Sequence, residues 1–310
     1  MKKIVSALAL LLSFSSATIS AQEISTEETN VKYVKSPGFA RPLVEKWITE
    51  YGKREKGVEF RIAKGNDRKK DIDLNIVFGN QDNNAESKSL TVYFGEFAVL
   101  PVTAAGGEAA KIFAGKHLNH KRLKQLFFIN DDLEEEERKQ KQYEEIVIYS
   151  GSNAASVTGS FARSYGEETS NFRGKRISGD DIFLNTALVR DPFGVSFNSL
   201  PNIFDLNSRS LKKELAIVGI DLNKDIEGNS TGNPTLDEII RALENEKSSE
   251  IAIERIGVSF SSSDDDVRKF MEWILTDGTR YNHDYGLLNL DDKLLRAQKD
   301  KVSSRLTAQK

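Results

Sequence analysis

Small and hydroxyl-bearing residues collect where a strand pattern gives way to a helical one, in the stretch EEIVIYSGSNAASVTGSFARSYG, residues 144–166. A helix that begins near Asn153 leaves its first amide groups without intrahelical partners and presents a partial positive charge. Gly and Ala allow close approach to the backbone, and Ser and Asn add donors, so the stretch can bind an anion or a carboxylate. The alternative is a helix whose own Ser or Asn caps its amides. The candidate residues are Ser150, Gly151, Ser152, Asn153 and Ala154.

Two further sets of residues could do chemistry, and each has a plainer alternative. Asp82 follows an apolar strand pattern, where it can accept a hydrogen bond from a protonated oxyanion or serve only as a turn residue. Asp221, Asn223 and Asp225 have the spacing of a calcium loop. The sixth position of that loop needs Gly and holds Ile226, so a turn rich in Asp and Asn is the better interpretation.

The remaining motifs argue against catalysis. The only histidines are His117, His120 and His283, and no carboxylate at useful spacing completes a metal set, so we expect surface residues. The sequence contains no Gly-x-Ser-x-Gly elbow, no His-Glu-x-x-His and no phosphate-binding Gly-Lys-Ser/Thr loop. We therefore expect a protein that is not an enzyme and that has no cofactor.

Composition and the amino terminus predict an exported chain. Its 310 residues, 38% of them apolar, suffice for one large or two medium domains, and it has no cysteine. Lys2 and Lys3 precede an apolar run that starts at Ile4, and small residues follow it up to Ala21. This is the pattern of a secretory signal peptide over residues 1–21, and no segment is long enough to span a membrane. We expect cleavage near Ala21 and a soluble periplasmic protein that binds no nucleic acid.

Strand and helix patterns alternate along the rest of the chain, which predicts an α/β protein with sheets covered on both faces. Helices are expected at 41–55, 107–115, 120–128, 153–166, 178–192, 235–246 and 264–278, with a helical tail after Leu290. Strands are expected at 57–63, 71–82, 90–103, 144–150, 193–200, 249–260 and within 211–223. The charge run at 130–145 predicts a solvated loop or surface helix.

In the order of its segments the chain resembles the type II periplasmic solute-binding proteins, nearest to the phosphate-binding subunits of ABC importers. The resemblance runs from about Ser36 to Leu290. It rests on GFARPLVEKWITEY, IVFGNQD, EAAKIFAGK, IVIYSGSNAASVTGSFARSYG, FGVSFNSL and KFMEWILTDGTRYNHDYGLLNL. It implies two α/β lobes, two sheets covered by helices and two hinge strands, with the ligand in the cleft. We expect lobe I at 22–103 with 194–310, and lobe II at 104–193.

The resemblance also implies which residues face the cleft. Gly38 and Phe39 match the family's anion-contacting turn. Lys64, Gly65 and Asn66 match its small-residue turn. Asp82 matches the carboxylate of its Phe-Gly-x-x-Asp motif, which accepts a proton from the oxyanion. The family's arginine falls at Gly151 when the segments are aligned through Phe161. Lys64 could replace it as a point charge or could simply be solvated.

The expected function is that of a monomeric, exported solute-binding protein. Its ligand would be a small oxyanion such as phosphate, or a carboxylate, delivered to an ABC importer. Because no arginine aligns with the family's, we expect phosphate to bind weakly. The alternative is a structural or protein-interaction protein that kept the fold and lost the ligand site. A cleft filled with side chains would favour the alternative, and an open cleft with converging amides would favour binding.

Overall fold

The longest strand, β4 (Ser89–Ala104), crosses the molecule and pairs with three other strands. Every residue of β4 between its two ends is buried, as its long apolar run predicts. The computed structural model describes residues 30–64, 71–79, 89–129, 143–153, 156–220, 234–245, 251–261 and 263–304. The predicted signal peptide, most of the charge run and the Asp221–Asp225 turn lie outside these residues.

The strands form one continuous, mixed sheet. Its order is β2-β1-β3-β9-β4-β7-β5-β6, with β8 paired to β4. The strands besides β4 are β1 (Asn30–Lys35), β2 (Val58–Ile62), β3 (Leu74–Phe78), β5 (Val147–Gly151), β6 (Lys175–Ile177), β7 (Gly194–Ser199), β8 (Leu215–Ile217) and β9 (Ala252–Ser261). The predicted strands are confirmed to within a few residues at most ends.

Helices alternate with the strands along the chain, which confirms the α/β class. They are α1 (Arg41–Arg54), α2 (Glu108–Phe113), α3 (His120–Phe127), α4 (Val157–Ser164), α5 (Ile182–Arg190), α6 (Leu200–Ile203), α7 (Leu236–Asn245), α8 (Asp265–Trp273) and α9 (Asp292–Ser304). The helix predicted at 264–278 changes at Ile274, where a π-helical turn runs to Gly278.

Two buried hydrophobic clusters lie against β4. The larger one joins α1, α8 and the strands β1–β3 to α3 and α4, and it includes Phe97 of β4. The smaller one contains Ala98, Leu100 and Val102 of β4 together with residues of α5, α6, α7 and β8. Because neighbouring residues of a strand point to opposite faces, β4 contributes to both clusters at once.

The packing does not change at the boundary expected after residue 193. Strand β7, which follows that boundary, pairs with both β4 and β5 and so lies inside the part of the sheet assigned to lobe II. Buried residues of α6, β8 and α7, together with Ile251, belong to the smaller cluster, whereas Val195, Phe197 and Val218 belong to the larger one. The chain returns along β9, which pairs with β4 from Ser89 to Val99. Hydrogen bonding thus holds β7 between β4 and β5, and β9 is the strand that pairs with both β4 and β3.

The carboxyl-terminal segment covers one edge of β4. Side chains and backbone between residues 282 and 301 bond to the backbone of residues 91–96, on the side away from β9. The bonds join Gln298 to the Tyr93 amide at 3.0 Å, Lys301 to the Thr91 carbonyl at 2.8 Å, Asn282 to the Phe94 carbonyl at 3.0 Å, and the Leu288 and Glu96 backbones to each other. These groups satisfy backbone donors and acceptors that would otherwise be buried without partners.

Trp47 anchors α1 beneath the same segment. Its indole Nε1–H donates to the Gly278 carbonyl at 2.9 Å, and its ring meets Phe94 edge-on at 4.7 Å. Both Trp47 and Trp273 are buried in the larger cluster. The π-helical turn thus ends at the acceptor that orients the indole.

Two of the three histidines lie at or near the surface of the segment around α3. His120 stacks on Tyr165 with ring centroids 4.4 Å apart, while His117 is exposed. Within the described ranges, no three His, Asp or Glu side chains lie close enough to hold a metal ion. Of the helices described above, none has the length and apolar character needed to cross a bilayer.

His283 connects the terminal loop to α7. Its Nε2 lies 2.8 Å from Glu244 Oε1, and the same carboxylate oxygen accepts the Asn289 amide at 2.6 Å. The hydrogen bond from Glu244 raises the pKa of His283 above its usual value, against an opposing effect of burial.

We predict that this contact weakens as pH rises. A raised pKa means that the protonated His283 stabilises the fold below about pH 6.5 and that this contribution is lost as pH rises through the folded pKa. The side chain is 42% exposed, so the effect should stay below about 1 kcal/mol. Urea unfolding at pH 6 and pH 8 measures it. His283→Gln should reduce the difference, the remainder coming from other groups such as Asp181, and an unchanged pH dependence in that variant would contradict the assignment.

Candidate functional site

The predicted first turn, at Gly38 and Phe39, is a short 3-10 segment that leads into α1. The Ala40 and Arg41 amides donate to the Pro37 carbonyl at 3.3 and 3.1 Å. The Phe39 ring is 4% exposed and packs on Phe78 and Phe97 at centroid distances of 5.7 and 5.2 Å. The Phe39 side chain is therefore part of the core, and only the backbone of the turn can contact a ligand.

A carboxylate from a distant part of the chain lies on this turn. A Cβ atom placed on Gly38 would overlap the carboxylate of Asp180, whose three terminal atoms are the nearest atoms to that position. Asp180 stands just before α5, and its Oδ1 accepts the Ile182 amide at 3.2 Å. A side chain at position 38 would therefore require the Asp180 carboxylate to move.

The predicted second turn, between β5 and α4, is capped by a serine. The helix begins at Val157, four residues later than predicted, because Ser156 accepts the Thr158 amide at 3.2 Å and donates to the Asn153 carbonyl at 2.6 Å. The Gly151 amide donates to Thr158 Oγ1 at 2.9 Å. The capped-helix alternative thus describes this turn correctly, with Ser156 in the capping role.

Asp181 brings a second carboxylate to the start of α4. Its Oδ2 accepts the Val157 amide at 3.3 Å, and its Oδ1 would lie 3.5 Å from a Cβ atom on Gly151. Burial raises the pKa of Asp181 to about 6, although the Val157 amide and Ser156 act in the opposite direction. The first amide of the helix is therefore already occupied by an oxyanion of the chain itself.

A buried amide network holds the Asp180–Asp181 turn in place. Asn198, fully buried on β7, donates from Nδ2 to the Asp181 carbonyl at 2.8 Å and to Asn185 Oδ1 at 3.0 Å. Asn202 in turn donates to Asn198 Oδ1 at 2.8 Å. Buried amides with these partners fix a single geometry, so both carboxylates start from a rigid base.

The structure does not bring the remaining predicted site residues together. Ser150 is fully buried, and its hydroxyl has no hydrogen-bond partner in the described part of the chain. Ser152 and Asn153 are exposed. Lys64 lines a groove of about 550 Å³ between α1 and β2, beside Arg61. Gly65, Asn66, Asp82 and Ala154 lie outside the described residues.

A constellation that sequence reasoning missed lies further along α4. Arg163 makes a two-pronged ion pair with Glu254 of β9, from Nε to Oε1 and from Nη2 to Oε2, both at 2.7 Å. The Ser160 hydroxyl also bonds to Glu254 Oε2, and Arg163 Nη2 lies 3.2 Å from the Ser160 oxygen. These residues and Gly79 line a cavity of about 300 Å³. The spacing of Ser160 and Arg163 on one helix face was a possible signal, but Glu254 had none.

Gly79 fixes the position of Glu254 from the other side. It follows β3 with a φ of +71°, and a Cβ atom there would lie 2.8 Å from Glu254 Oε1. Only glycine adopts this backbone conformation without strain. The cavity therefore lies where β3, β9 and α4 meet, between the strands β1–β3 and the helix that follows β5.

The comparisons with known proteins establish the fold. A possible phosphate binding protein from Planctomyces limnophilus is 11% identical, with 90% of this chain and 99% of that one covered and a TM-score of 0.50. An ABC-type phosphate transport receptor from Vibrio cholerae is 10% identical, with 84% of this chain and 100% of that one covered and a TM-score of 0.54. A putative phosphate ABC transporter substrate-binding protein with bound phosphate from Clostridium perfringens is 11% identical. The match covers 84% of this chain and 100% of that one, with a TM-score of 0.54. No family model and no curated protein matches the chain.

These likenesses confirm the expected two-lobed type II periplasmic binding protein fold. At 10–11% identity they carry no information about the ligand of this chain. In the described residues the strands of the two lobes form one curled sheet instead of two separate sheets, because β4 belongs to both.

We predict that Asp181→Asn stabilises the protein at neutral pH. Because the folded pKa is raised, the ionised Asp181 costs stability above about pH 6, and this cost disappears as pH falls towards the unfolded value near 4. The gain in unfolding free energy should be ~1–3 kcal/mol at pH 7.5 and near zero at pH 4. Denaturant unfolding at both pH values tests this. Asp180→Asn, which alters an exposed carboxylate, is the control and should change less.

We also predict that Gly38→Thr destabilises the fold through Asp180. The new side chain would overlap that exposed carboxylate and force it to move, at a cost of about 0.5 kcal/mol. In an Asp180→Ala background the same substitution should cost little, and a double-mutant cycle of unfolding free energies measures the coupling. Equal costs in the two backgrounds would show that Asp180 does not occupy the turn.

Proposed function

We propose that the protein is an exported, non-catalytic receptor for a small solute, which it holds between its two lobes and passes to an ABC importer. The amino-terminal signal pattern supports export, and the type II fold supports a ligand held between lobes. The proposed partners are the solute and a permease.

The observation that carries the proposal is the convergence of distant segments around one region. The Gly38 turn before α1 and the start of α4 are linked through the adjacent residues Asp180 and Asp181. Close by on α4, Arg163 lines the cavity with Gly79 and Glu254. Backbone turns, a guanidinium and hydroxyls are thus gathered from both lobes, as a site that encloses a small polar solute requires.

The finer form of the proposal concerns the charge of the solute. The sequence led us to expect a small oxyanion such as phosphate, or a carboxylate. The structure adds carboxylates at both turns and pairs Arg163 with Glu254. A phosphate dianion would meet like charges there, so weak phosphate binding is still our expectation.

The second candidate function is a structural or interaction protein that kept the fold. The side chain of Asp180 on the Gly38 turn favours it, because a turn that is already covered does not need a ligand. The two candidates differ in whether any small molecule stabilises the folded protein.

A thermal-shift screen separates the two. The mature protein would be heated with phosphate, sulfate, acetate, D-glucose, glycine and arginine, each at millimolar concentration. A receptor should gain about 2.7 kcal/mol of stability from a solute present at 100 times its dissociation constant. We expect at least one solute to raise the melting temperature, and phosphate to raise it least. No response to any of them would favour the interaction protein.

A further inference from the structure

Three groups in the proposed cleft that could bind an anion each face a carboxylate from the chain itself. The Gly38 turn faces Asp180, the start of α4 faces Asp181, and the Arg163 guanidinium faces Glu254. The three carboxylates come from two segments, the loop before α5 and strand β9. These contacts hold three acids and the one base Arg163, and the cavity beside that arginine is also lined by Glu96 and Arg255.

Of these three contacts between a carboxylate and a group that could bind an anion, the ion pair of Arg163 with Glu254 has the most complete geometry. Two parallel N–H to oxygen bonds at 2.7 Å are the fork geometry with which arginine binds a ligand carboxylate or phosphate. The Glu254 side chain is only 15% exposed, whereas that of Arg163 is 48% exposed. Glu254 thus stands where an oxyanion would stand, and Ser160 supplies it with a hydroxyl donor.

Glu254 is held by the Arg163 fork and by the Ser160 hydroxyl, so it does not turn away easily. It is anchored on β9, where it lies opposite Phe97 of β4 in the sheet register. The absence of a side chain at Gly79 leaves room for its Oε1. An incoming anion would have to break the fork and leave a carboxylate partly buried without a partner, which is costly.

We propose that these carboxylates act in place of a bound anion, so that the cleft selects a solute without net negative charge that donates hydrogen bonds to them. Glu254 is the residue that determines this specificity, because it neutralises Arg163, the arginine that presents its fork on α4. The inference rests on the proposed receptor function and names the class of its solute as uncharged or cationic polar molecules.

The test is a gain of function towards inorganic phosphate. Glu254→Gln keeps the size of the side chain and removes its charge, so Arg163 becomes available to an oxyanion. We expect the association constant for phosphate, measured by calorimetry at low salt and pH 7.5, to rise at least tenfold over wild type. The double variant Glu254→Gln with Arg163→Gln should return to the wild-type value, because the gain requires the guanidinium.

A second variant protects the test against misfolding of the first. Asp180→Asn combined with Asp181→Asn removes the charges at the two turns, outside the Arg163 pair, and should also raise phosphate affinity. Far-ultraviolet circular dichroism and a melting curve would establish that each variant is folded. Wild-type protein that binds phosphate at submicromolar concentration would overturn the proposal, and so would folded variants that gain nothing.

The outcomes also separate this inference from the receptor function. If wild type responds to a solute in the thermal screen but Glu254→Gln gains no phosphate affinity, the receptor function stands and the proposal about specificity is wrong. If Glu254→Gln gains phosphate affinity while wild type responds to no solute, the carboxylates do occupy the anion site and the receptor function fails.

Discussion

The antiparallel pairing of β4 with β9 is the constraint on which the rest of the structure depends. It aligns residues 89–99 with residues 252–261 and leaves the other edge of β4 to β7 at one end and to the carboxyl-terminal segment at the other. The two hydrophobic clusters are therefore organised around the same strand. Any change in this register would move both clusters, since a shift of one residue reverses the face of every side chain.

The same pairing places charge at the junction of the lobes. Glu254 lies on β9 opposite Phe97, whose ring packs with Phe39 and Phe78 beneath the Gly38 turn. The aromatic packing fixes the turn on one side, and the Arg163 pair fixes α4 on the other. Apolar packing thus positions the backbone of the site, and ion pairs and amides set its charge.

The sequence predicted the elements well and the contacts between them poorly, for physical reasons. Periodicity identifies α1, β4 and α7 because it records which face of an element is buried. It does not record which distant group covers that face, so the overlap of Asp180 with Gly38 and the bond from Arg163 to Glu254, 91 residues away, could not be found. The start of α4 was predicted four residues early because capping by Ser156 depends on the local chain path. The change of helix type at Ile274 goes with a tertiary contact, the bond from Trp47 to Gly278.

The cover on the edge of β4 has a consequence for how the chain folds. The bond between Thr91 and Lys301 joins residues 210 positions apart, and the bond between Phe94 and Asn282 joins residues 188 apart. Contacts between residues so far apart in the sequence slow folding, because the chain loses the entropy of loop closure before the contacts can stabilise it. During synthesis β4 can pair with β7 and β8 earlier, but its edge at residues 91–96 lacks its partners until residues 282–301 have been made. A nascent chain of this kind stays unfolded for longer than one whose sheet is completed by local hairpins.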